Sequence, residues 1–370
     1  MKNNIVFFVG TTAELIKLFP VMQEMKKRNV KFRIIASGQN KLDNDIISIC
    51  NLGGVDYYLS DGKIKQTTLG LLIWFVRTLF KGLFSLKTVV DKKKGDNNIF
   101  IVHGDTISTV MGAIVGKLLG FKICHVESGL RSYNMLKPFP EELDRIIVSK
   151  LSNIHCCPNS WAVKNINDKK GLIVDTKQNT LLDSLNFALN VDFESEFIKK
   201  LIEEKYFIFV LHRQENLYDD QLVKKITTKV FNYANSNIKC FIILHSPTEM
   251  TFNKMGLLQE IYDNPNIITS ERQGYFQFMK IMAHSQFIVT DGGSNQEESF
   301  YFGKPCLILR KETERNEGLG HNVLLSKLDE SIIDHFFNNI DFYRKPKIST
   351  DVNPSEIIVN NIVSPEESND

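Results

Sequence analysis

The stretch VHGDTISTVMGAIVGKLLGFKICHVESGLRS, residues 102–132, reads as a strand, a helix and a second strand. The first apolar run ends at Asp105 and the second ends at Glu127. Such a unit forms a right-handed crossover between parallel strands, and the carboxyl ends of parallel strands meet at one edge of the sheet. We therefore expect Asp105 and Glu127 to emerge on the same edge. The alternative is that Asp105 only caps the helix that follows it.

The same alternation of short apolar runs and helical patterns continues along the chain. The strand candidates are NIVFFVG, KFRIIASG, NIFIVHGD, FKICHVES and NIHCCPN in the first half, and YFIFVLH, KCFIILH, QFIVTDGG and KPCLILR in the second. Continuous apolar strands are covered on both faces, which is typical of a doubly wound parallel sheet. This pattern, in a chain of 370 residues, predicts an α/β protein of two such domains with a cleft between them.

Composition and charge exclude several classes of protein. With 43% hydrophobic and 24% charged residues the chain is globular, and a formal net charge of +2 without a basic block argues against nucleic acid as a partner. The amino terminus, MKNNIVFFVGTT, lacks the long apolar region of a signal peptide, so we expect a cytoplasmic location. Six cysteines show neither a CxxC pair nor zinc spacing, which predicts reduced core thiols and no metal site.

A helix beginning near PEELDR contributes a third carboxylate. Glu141 and Arg145 are four residues apart and share one face of this helix. A surface salt bridge explains the pair without any function. The alternative is functional, because a helix that starts just after the loop following Glu127 can carry Glu141 to the same sheet edge.

Polar side chains also follow buried runs in the second half of the chain. His212, Arg213 and Glu215 come directly after one run, and His245 comes after the next. Because these positions also lie at the carboxyl ends of strands, they are candidates for contact with a ligand.

A glycine turn follows the later run FIVTD. Gly292, Gly293 and Ser294 begin a helix there, and the free backbone amides of such a helix start form an anion site. Arg315 can add a charge to the same phosphate. Neither a Walker lysine loop nor a GxGxxG fingerprint is present, so an ATPase or a dinucleotide-dependent redox enzyme is not favoured and no cofactor is predicted.

The stretch TLGLLIWFVRTLFKGLFSLKTVV, residues 68–90, predicts an apolar helix with a narrow polar stripe. The stripe consists of Arg77, Lys81, Ser85 and Thr88. Its charges make the helix a poor transmembrane span. We expect a buried crossover helix whose charged stripe faces solvent. The less favoured alternative is an interfacial helix over residues 69–86 that docks on a membrane, with Trp74 and Phe80 among the headgroups.

Eight motifs together resemble one protein family. In chain order they are GTTAELIKLFPV, VHGDTISTV, HVESGLRS, PFPEELDR, HRQENL, TDGGSNQEE, GKPCLILR and TERNEG, between about residue 5 and residue 325. Their order and spacing are similar to those of the non-hydrolysing UDP-N-acetylglucosamine 2-epimerases. The resemblance implies a GT-B architecture of two Rossmann-like domains, with the nucleotide sugar between them and UDP held mostly by the second.

The resemblance also implies how the chain is divided. Residues 1–167 form a first domain with the catalytic carboxylates, completed by a carboxy-terminal helix within 330–362, and residues 168–329 form the UDP-binding domain. The acidic, proline-bearing composition of the tail predicts that residues 363–370 are disordered. The family resemblance further suggests a homodimer.

The implied reaction removes the C2 proton and expels UDP from C1 to give a 2-acetamidoglucal, and then adds UDP back with a proton on the other face. By the resemblance, Asp105, Glu127 and Glu141 are the catalytic acids and bases, and His212 stabilises the departing diphosphate. The residues implied to contact the substrate are Lys17, Arg145, Phe278, Glu298 and Arg315. We add Arg213, His245, Gly293 and Ser294 from their positions at strand ends and at a helix start.

The sequence departs from the family's usual motifs at several points. The usual GTRPE reads GTTAE, so Thr12 and Ala13 replace an arginine and a proline, which removes a fixed cation from the cleft. The usual TDSGGIQEE reads TDGGSNQEE, which moves the serine from position 292 to Ser294. The usual GQH reads GQN, so Asn40 replaces a histidine. This region resembles the allosteric site of bacterial members.

Two other functions stay open on the sequence. One is a GT-B glycosyltransferase that acts on a membrane lipid-linked acceptor, which an interfacial helix would suit. The other is a hydrolysing 2-epimerase that releases the free sugar. A different UDP-N-acetylhexosamine would need only small changes in the pocket.

Overall fold

The chain forms two compact units in the computed structural model, which describes residues 2–62, 68–90, 92, 95–135, 139–192, 195–313, 315–349 and 351–363. Unit 1 takes residues up to 187 and resumes at 351, whereas unit 2 takes residues 188–350. Each unit contains one sheet with helices packed against it.

Unit 1 is built on a seven-stranded sheet in the order β3-β2-β1-β4-β5-β6-β7, in which every pairing is parallel. Its strands are β1 (Asn3–Val9), β2 (Phe32–Ala36), β3 (Tyr57–Tyr58), β4 (Asn97–His103), β5 (Lys122–Val126), β6 (Ile154–Cys157) and β7 (Leu172–Asp175). The helices between them are α1 (Thr12–Lys27), α2 (Asn44–Ile49), α3 (Thr68–Val89), α4 (Ile107–Leu118), α5 (Glu141–Leu151), α6 (Ser160–Asn165) and α7 (Leu181–Leu189). The central strands are buried almost throughout, because helices cover both faces.

Unit 2 is built on a six-stranded parallel sheet in the order β10-β9-β8-β11-β12-β13. Its strands are β8 (Tyr206–Val210), β9 (Lys239–Ile243), β10 (Ile267–Ser270), β11 (Ile288–Thr290), β12 (Cys306–Ile308) and β13 (Val323–Leu325). Its helices are α8 (Glu196–Glu203), α9 (Gln214–Leu217), α10 (Asp220–Tyr233), α11 (Ser246–Lys254), α12 (Leu257–Asp263), α13 (Tyr275–His284), α14 (Gly293–Phe302) and α15 (Glu330–Asn338). The predicted α/β class with two doubly wound parallel sheets is confirmed.

The division between the units differs from the predicted one. Unit 1 continues past residue 167, because β7 pairs with β6 and extends the first sheet. Among the described residues of the predicted range 330–362 the structure contains two α-helices and a short 3-10 helix (Ile340–Tyr343), and α15 belongs to unit 2. The second α-helix, α16 (Pro354–Ile362), belongs to unit 1, where it packs against α1. Of the tail predicted to be disordered, residues 364–370 lie outside the described residues.

Several hydrogen bonds join α16 to the rest of unit 1. The hydroxyl of Ser355 donates to Asp183 on α7 at 2.5 Å, and the side-chain amide of Asn97 donates to the carbonyl of Ile362 at 2.7 Å. Burial and hydrogen bonding together therefore fix this last helix on the first unit.

Helix α3 differs from the expected buried crossover helix. One face packs into unit 1 through residues that include Trp74, whose indole donates to Ser60 at 3.1 Å. The polar stripe faces solvent at Arg77 and Lys81, as expected. A second, apolar stripe also faces solvent, and we call it the α3 stripe: Leu69, Leu72, Ile73, Val76, Phe80 and Phe84. By length and composition alone, Leu69–Val89 is long and apolar enough to cross a membrane.

All six cysteines are reduced and buried, as the sequence predicted. They are Cys50, Cys124, Cys156, Cys157, Cys240 and Cys306. Burial raises the pKa of the Cys50 thiol to about 12, so this side chain behaves as a small apolar group.

Candidate active site

The first carboxylate lies in the turn between β4 and α4. Thr106 is the residue that caps α4, because its hydroxyl accepts a hydrogen bond from the amide of Thr109 at 3.2 Å. The alternative in which Asp105 caps the helix is therefore wrong. The Asp105 side chain instead forms an ion pair with Arg145 on α5, and 29% of it is exposed.

The second carboxylate, Glu127, follows β5 directly. Its backbone has a φ of 63°, a left-handed value that is uncommon for a residue other than glycine. The Glu127 carboxylate pairs with Lys17 from α1 and accepts a hydrogen bond from Asn179 at 2.6 Å. The imidazole of His103 lies 3.5 Å from its other oxygen. A buried anion needs such partners, since burial alone would favour its neutral form.

The two turns touch, so the structure brings both carboxylates to one edge of the sheet. The amide of Gly104, just before Asp105, donates to the carbonyl of Val126 at 3.0 Å. A methyl group added at Gly104 would lie 3.5 Å from the Glu127 carboxylate. His125 supports the same turn through its ring nitrogen, 2.8 Å from the Gly104 carbonyl. Burial lowers the pKa of His125 to about 4, so this histidine is neutral.

Helix α5 carries four ionisable groups to this edge. Glu141 begins the helix, and Arg145 donates to Asp105 and to the buried Glu142. Glu142 also accepts from Arg131 at 2.5 Å and from the amide of Ser132 at 2.8 Å. Burial would raise the pKa of Glu142, but these donors outweigh it and hold that pKa below the usual range.

Two carboxyl groups beside Asp105 were not among the site residues predicted from the sequence. Glu14 accepts hydrogen bonds from the amide of Gly10 and from the hydroxyl of Thr106, both at 2.7 Å. Burial nevertheless raises the pKa of Glu14 to about 7. Burial first, and then the charges of Asp105 and Glu141, raise the pKa of Asp144 to about 7 as well. Both residues stand inside quoted motifs, but only packing reveals that they are buried.

In unit 2 the central feature is a histidine held by a buried aspartate. Asp291 follows β11, and its carboxylate lies 3.0 Å from Nδ1 of His212. It also accepts from the amide of Arg213 at 2.9 Å and from the side chain of Asn216 at 3.1 Å. Burial opposes the charged form, but these donors keep the pKa of Asp291 low. The imidazole of His212 remains 38% exposed, so a fixed and accessible nitrogen donor faces solvent.

A second histidine lies next to the first. The ring centroids of His212 and His245 are 5.2 Å apart. Burial, and then the charges of His212 and Arg272, lower the pKa of His245 to about 4. His245 is therefore neutral near pH 7, and it can donate one hydrogen bond without adding charge.

Helix α14 supplies the predicted anion-binding geometry. Gly292 is its N-cap, and no side chain caps the helix. Ser294 in the first turn is exposed, and Gly293 is half-buried. The backbone amides of this turn therefore face a position that an anion can reach.

The remaining predicted residues lie around α13 and α14. Arg315 donates to the buried Glu297 at 2.6 Å, so its guanidinium is held by a carboxylate of the protein itself. Glu298 is buried on the same helix and accepts from Asn295 at 3.0 Å. Phe278 is half-buried on α13. Within the described part of the chain, no cluster of three His, Cys, Asp or Glu residues could hold a metal ion.

Comparisons with known proteins agree with this arrangement. The sequence profile of a family described as UDP-N-acetylglucosamine 2-epimerase matches residues 23–354. A Methanococcus maripaludis protein named UDP-N-acetylglucosamine 2-epimerase is 30% identical over 338 residues, which is 88% of each chain. A Campylobacter jejuni protein of the same name is 31% identical over 343 residues, 88% of this chain and 85% of the relative.

Solved structures are similar over nearly the whole chain. The S. aureus MnaA structure with UDP superposes with a TM-score of 0.80 at 25% identity, covering 98% of this chain and 96% of that one. The Neisseria meningitidis UDP-GlcNAc 2-epimerase bound to UDP-GlcNAc superposes with a TM-score of 0.74 at 26% identity, covering 98% of this chain and 99% of that one.

Proposed function

The chain belongs to the UDP-N-acetylglucosamine 2-epimerase family, and from this premise we propose that it interconverts UDP-N-acetylglucosamine and UDP-N-acetylmannosamine. The observation that carries the proposal is the carboxylate-rich edge of unit 1, where Asp105, Glu127 and α5 meet. Moving a proton between the two faces of C2 requires more than one acid or base, and this edge supplies several.

The reaction proceeds by elimination and re-addition. A carboxylate takes the C2 proton, the electrons of that bond form the C1–C2 double bond, and the C1–O bond breaks with its electron pair on the β-phosphate oxygen of UDP. In the return step that oxygen attacks C1, and a protonated carboxyl delivers a proton to the opposite face of C2. No electrons are gained or lost overall, so no redox cofactor is needed.

In unit 1 we assign the two proton transfers to Asp105 and Glu141. Asp105 has a side chain that is partly exposed and oriented by Arg145, which suits a group that must meet the sugar. Glu141 begins α5 and shares this edge. Glu127, held by Lys17 and Asn179, lies at the same edge and completes the catalytic set.

In unit 2 we assign the groups that hold UDP. His212 on Asp291 and the amide-rich start of α14 at Gly293 and Ser294 meet the diphosphate, because fixed donors stabilise charge that develops on a leaving group. The additional groups that we assign to the nucleotide are Arg213, His245, Phe278, Glu298 and Arg315. Thr12, in place of the usual arginine, leaves this role to the groups of unit 2.

The test is incubation with UDP-N-acetylglucosamine in deuterated water. We expect deuterium at C2 of the sugar together with formation of UDP-N-acetylmannosamine, and neither with Asp105→Asn. Release of UDP and free N-acetylmannosamine would instead identify a hydrolysing epimerase. UDP release that needs a lipid-linked acceptor would identify a transferase, and either result would overturn the proposal.

We further propose that the chain acts in the cytoplasm as a homodimer that pairs through the α3 stripe. Six reduced, buried thiols suit a reducing compartment. The stripe extends over four turns of α3, and monomers seldom expose so large a contiguous apolar patch. A twofold axis through the stripe would cover it with its own copy, and Arg77 and Lys81 would stay in water at its edge.

Light scattering during size-exclusion chromatography tests this surface. We expect the wild-type protein to have twice the mass of one chain. The double variant Phe80→Asp, Phe84→Asp should have the mass of one chain. Met250→Asp is the matched control, because Met250 is 73% exposed on α11 in unit 2, and it should stay dimeric. A monomeric wild type would contradict the proposal, because the stripe would then have no partner copy. Wild-type protein that pellets with phosphatidylserine vesicles through the same residues would also contradict it and would identify a membrane as the partner.

A further inference from the structure

The segment TDGGSNQEE, residues 290–298, departs from the family's usual TDSGGIQEE at positions 292, 294 and 295. We propose that Asn295 is a positioning residue that fixes the carboxylate of Glu298, and that Gly292 and Asn295 are a coupled pair of changes. The inference rests on the proposed function in one respect, which is that Glu298 faces the nucleotide.

A continuous chain of hydrogen bonds supports the first part. The amide of Gly292 donates to the hydroxyl of Thr290 at 3.0 Å, and that hydroxyl donates to the side-chain oxygen of Asn295 at 3.0 Å. The side-chain nitrogen of Asn295 then donates to Glu298 at 3.0 Å. An isoleucine at position 295 has no polar group, so it could neither accept from Thr290 nor hold Glu298.

The position of Glu298 makes this bond consequential. Only 3% of the residue is exposed, and it lies near the buried hydroxyl of Tyr275, whose pKa is raised by burial and by the charge of Glu298. A buried carboxylate is expensive to leave poorly paired, and a charge-assisted hydrogen bond sets its direction. Asn295 thereby orients the carboxylate that we assign to the nucleotide.

Space around Gly292 supports the coupling. A Cβ atom at this position would lie 2.6 Å from the side-chain oxygen of Asn295 and 3.3 Å from the His212 ring. The φ of Gly292 is −83°, which any residue can adopt, so the need for glycine comes from space and not from the backbone. A serine at position 292 would therefore force the Asn295 amide to shift from its position between Thr290 and Glu298.

A double-mutant cycle tests the pair. Asn295→Ile and Gly292→Ser are each expected to weaken UDP binding in calorimetry by roughly three- to tenfold, with KM raised and kcat at saturating substrate little changed. Because Gly292→Ser acts by displacing Asn295, adding it to Asn295→Ile should weaken UDP binding little further, so the two effects should be less than additive. Asn253→Ile, at an exposed position on α11, is the matched control and should bind UDP normally.

Thermal unfolding without ligand separates this inference from the proposed function. Gly292→Ser should lower the unfolding midpoint, and adding Asn295→Ile should restore part of the loss whether or not the protein binds UDP. Additive effects on both affinity and midpoint would overturn the coupling. Unchanged UDP affinity and KM in Asn295→Ile would overturn the positioning role, whereas failure of the wild type to bind UDP would overturn the proposed function and leave the coupling to the unfolding data.

Discussion

The candidate site of unit 1 and that of unit 2 use opposite means to place charge. In unit 1 the charges belong to buried or partly buried side chains that face one another, as in the pairs of Glu127 with Lys17 and of Asp105 with Arg145. In unit 2 the groups offered to a ligand are backbone amides and a half-exposed His212, supported from behind by the buried Asp291. Burial next to other charges tunes proton affinity, whereas exposure keeps donors ready for an anion.

The difference also appears in how the two halves titrate. Glu14 and Asp144 in unit 1 have pKa values of about 7, so their charges change near neutrality. In unit 2 the pKa of His245 is about 4, and that of Asp291 is held low. We therefore expect Glu14 and Asp144 of unit 1 to contribute to the pH dependence of this protein near pH 7.

The largest effect should come from removing proton carriers in unit 1. Asp105→Asn and Glu141→Gln keep the shape of each side chain but remove its capacity to take or give a proton. Each should lower kcat roughly 100-fold or more, while UDP affinity in calorimetry changes little. If Asp105→Asn lost UDP binding as severely as a unit 2 variant does, the contrast between a proton-handling half and a nucleotide-binding half would collapse.

An intermediate effect is expected at Arg315 in unit 2. Arg315→Ala should weaken UDP binding by about 1 to 3 kcal/mol through loss of a charge-assisted contact. It also leaves the buried Glu297 without this partner, so the unfolding midpoint should fall as well. Arg315→Ala combined with Glu297→Gln should recover stability without recovering affinity. Recovery of both would show that Arg315 acts on the fold and not on UDP.

The smallest effect concerns pH and stability at Asp144. Its pKa in the folded state, about 7, lies above the ordinary 3.8, so its contribution to stability is complete below about pH 4 and is lost as pH rises through 7. The groups that face it are Asp105, Glu141 and Arg145. As pH rises from 6 to 8.5, the free energy of unfolding should fall by roughly 1 kcal/mol less in Asp144→Asn than in the wild type.

Denaturant unfolding at several pH values measures this difference. Glu14 titrates in the same range, so the variant should retain part of the wild-type trend. Parallel curves for the two proteins would show that Asp144 does not titrate near neutrality. The proposed contrast between the halves would then rest on Glu14 alone.

Residues at strand ends were predictable because their placement follows from local pattern. Asp105 and Glu127 each end an apolar run, and a parallel crossover unit brings such ends together whatever the rest of the chain does. The support of His212 by Asp291 was not predictable, because the two residues are 79 positions apart and meet only through the pairing of β8 with β11. The buried state of Glu14 and Asp144 likewise depends on packing from several elements.

Helix α3 and strand β7 show where pattern reasoning was wrong. The pattern of α3 distinguishes polar from apolar positions, but it does not tell which of two apolar faces packs inward, so its prediction of a buried helix is wrong for the α3 stripe. Trp74, placed by the membrane alternative among headgroups, belongs to the core instead. The short β7 was missed as part of the first sheet because its assignment depends on its pairing with β6.

The return of α16 to unit 1 has a consequence for synthesis of the chain. Unit 2 is continuous and precedes α16 in the chain, so all of its residues emerge from the ribosome before α16 emerges. Ile358, Val359 and Ile362 are buried, and α16 packs on α1 near the beginning of the chain. A nascent chain therefore holds a second half that can already be folded while the first half, translated earlier, still exposes an apolar surface. That surface is where we expect a chaperone to bind during translation.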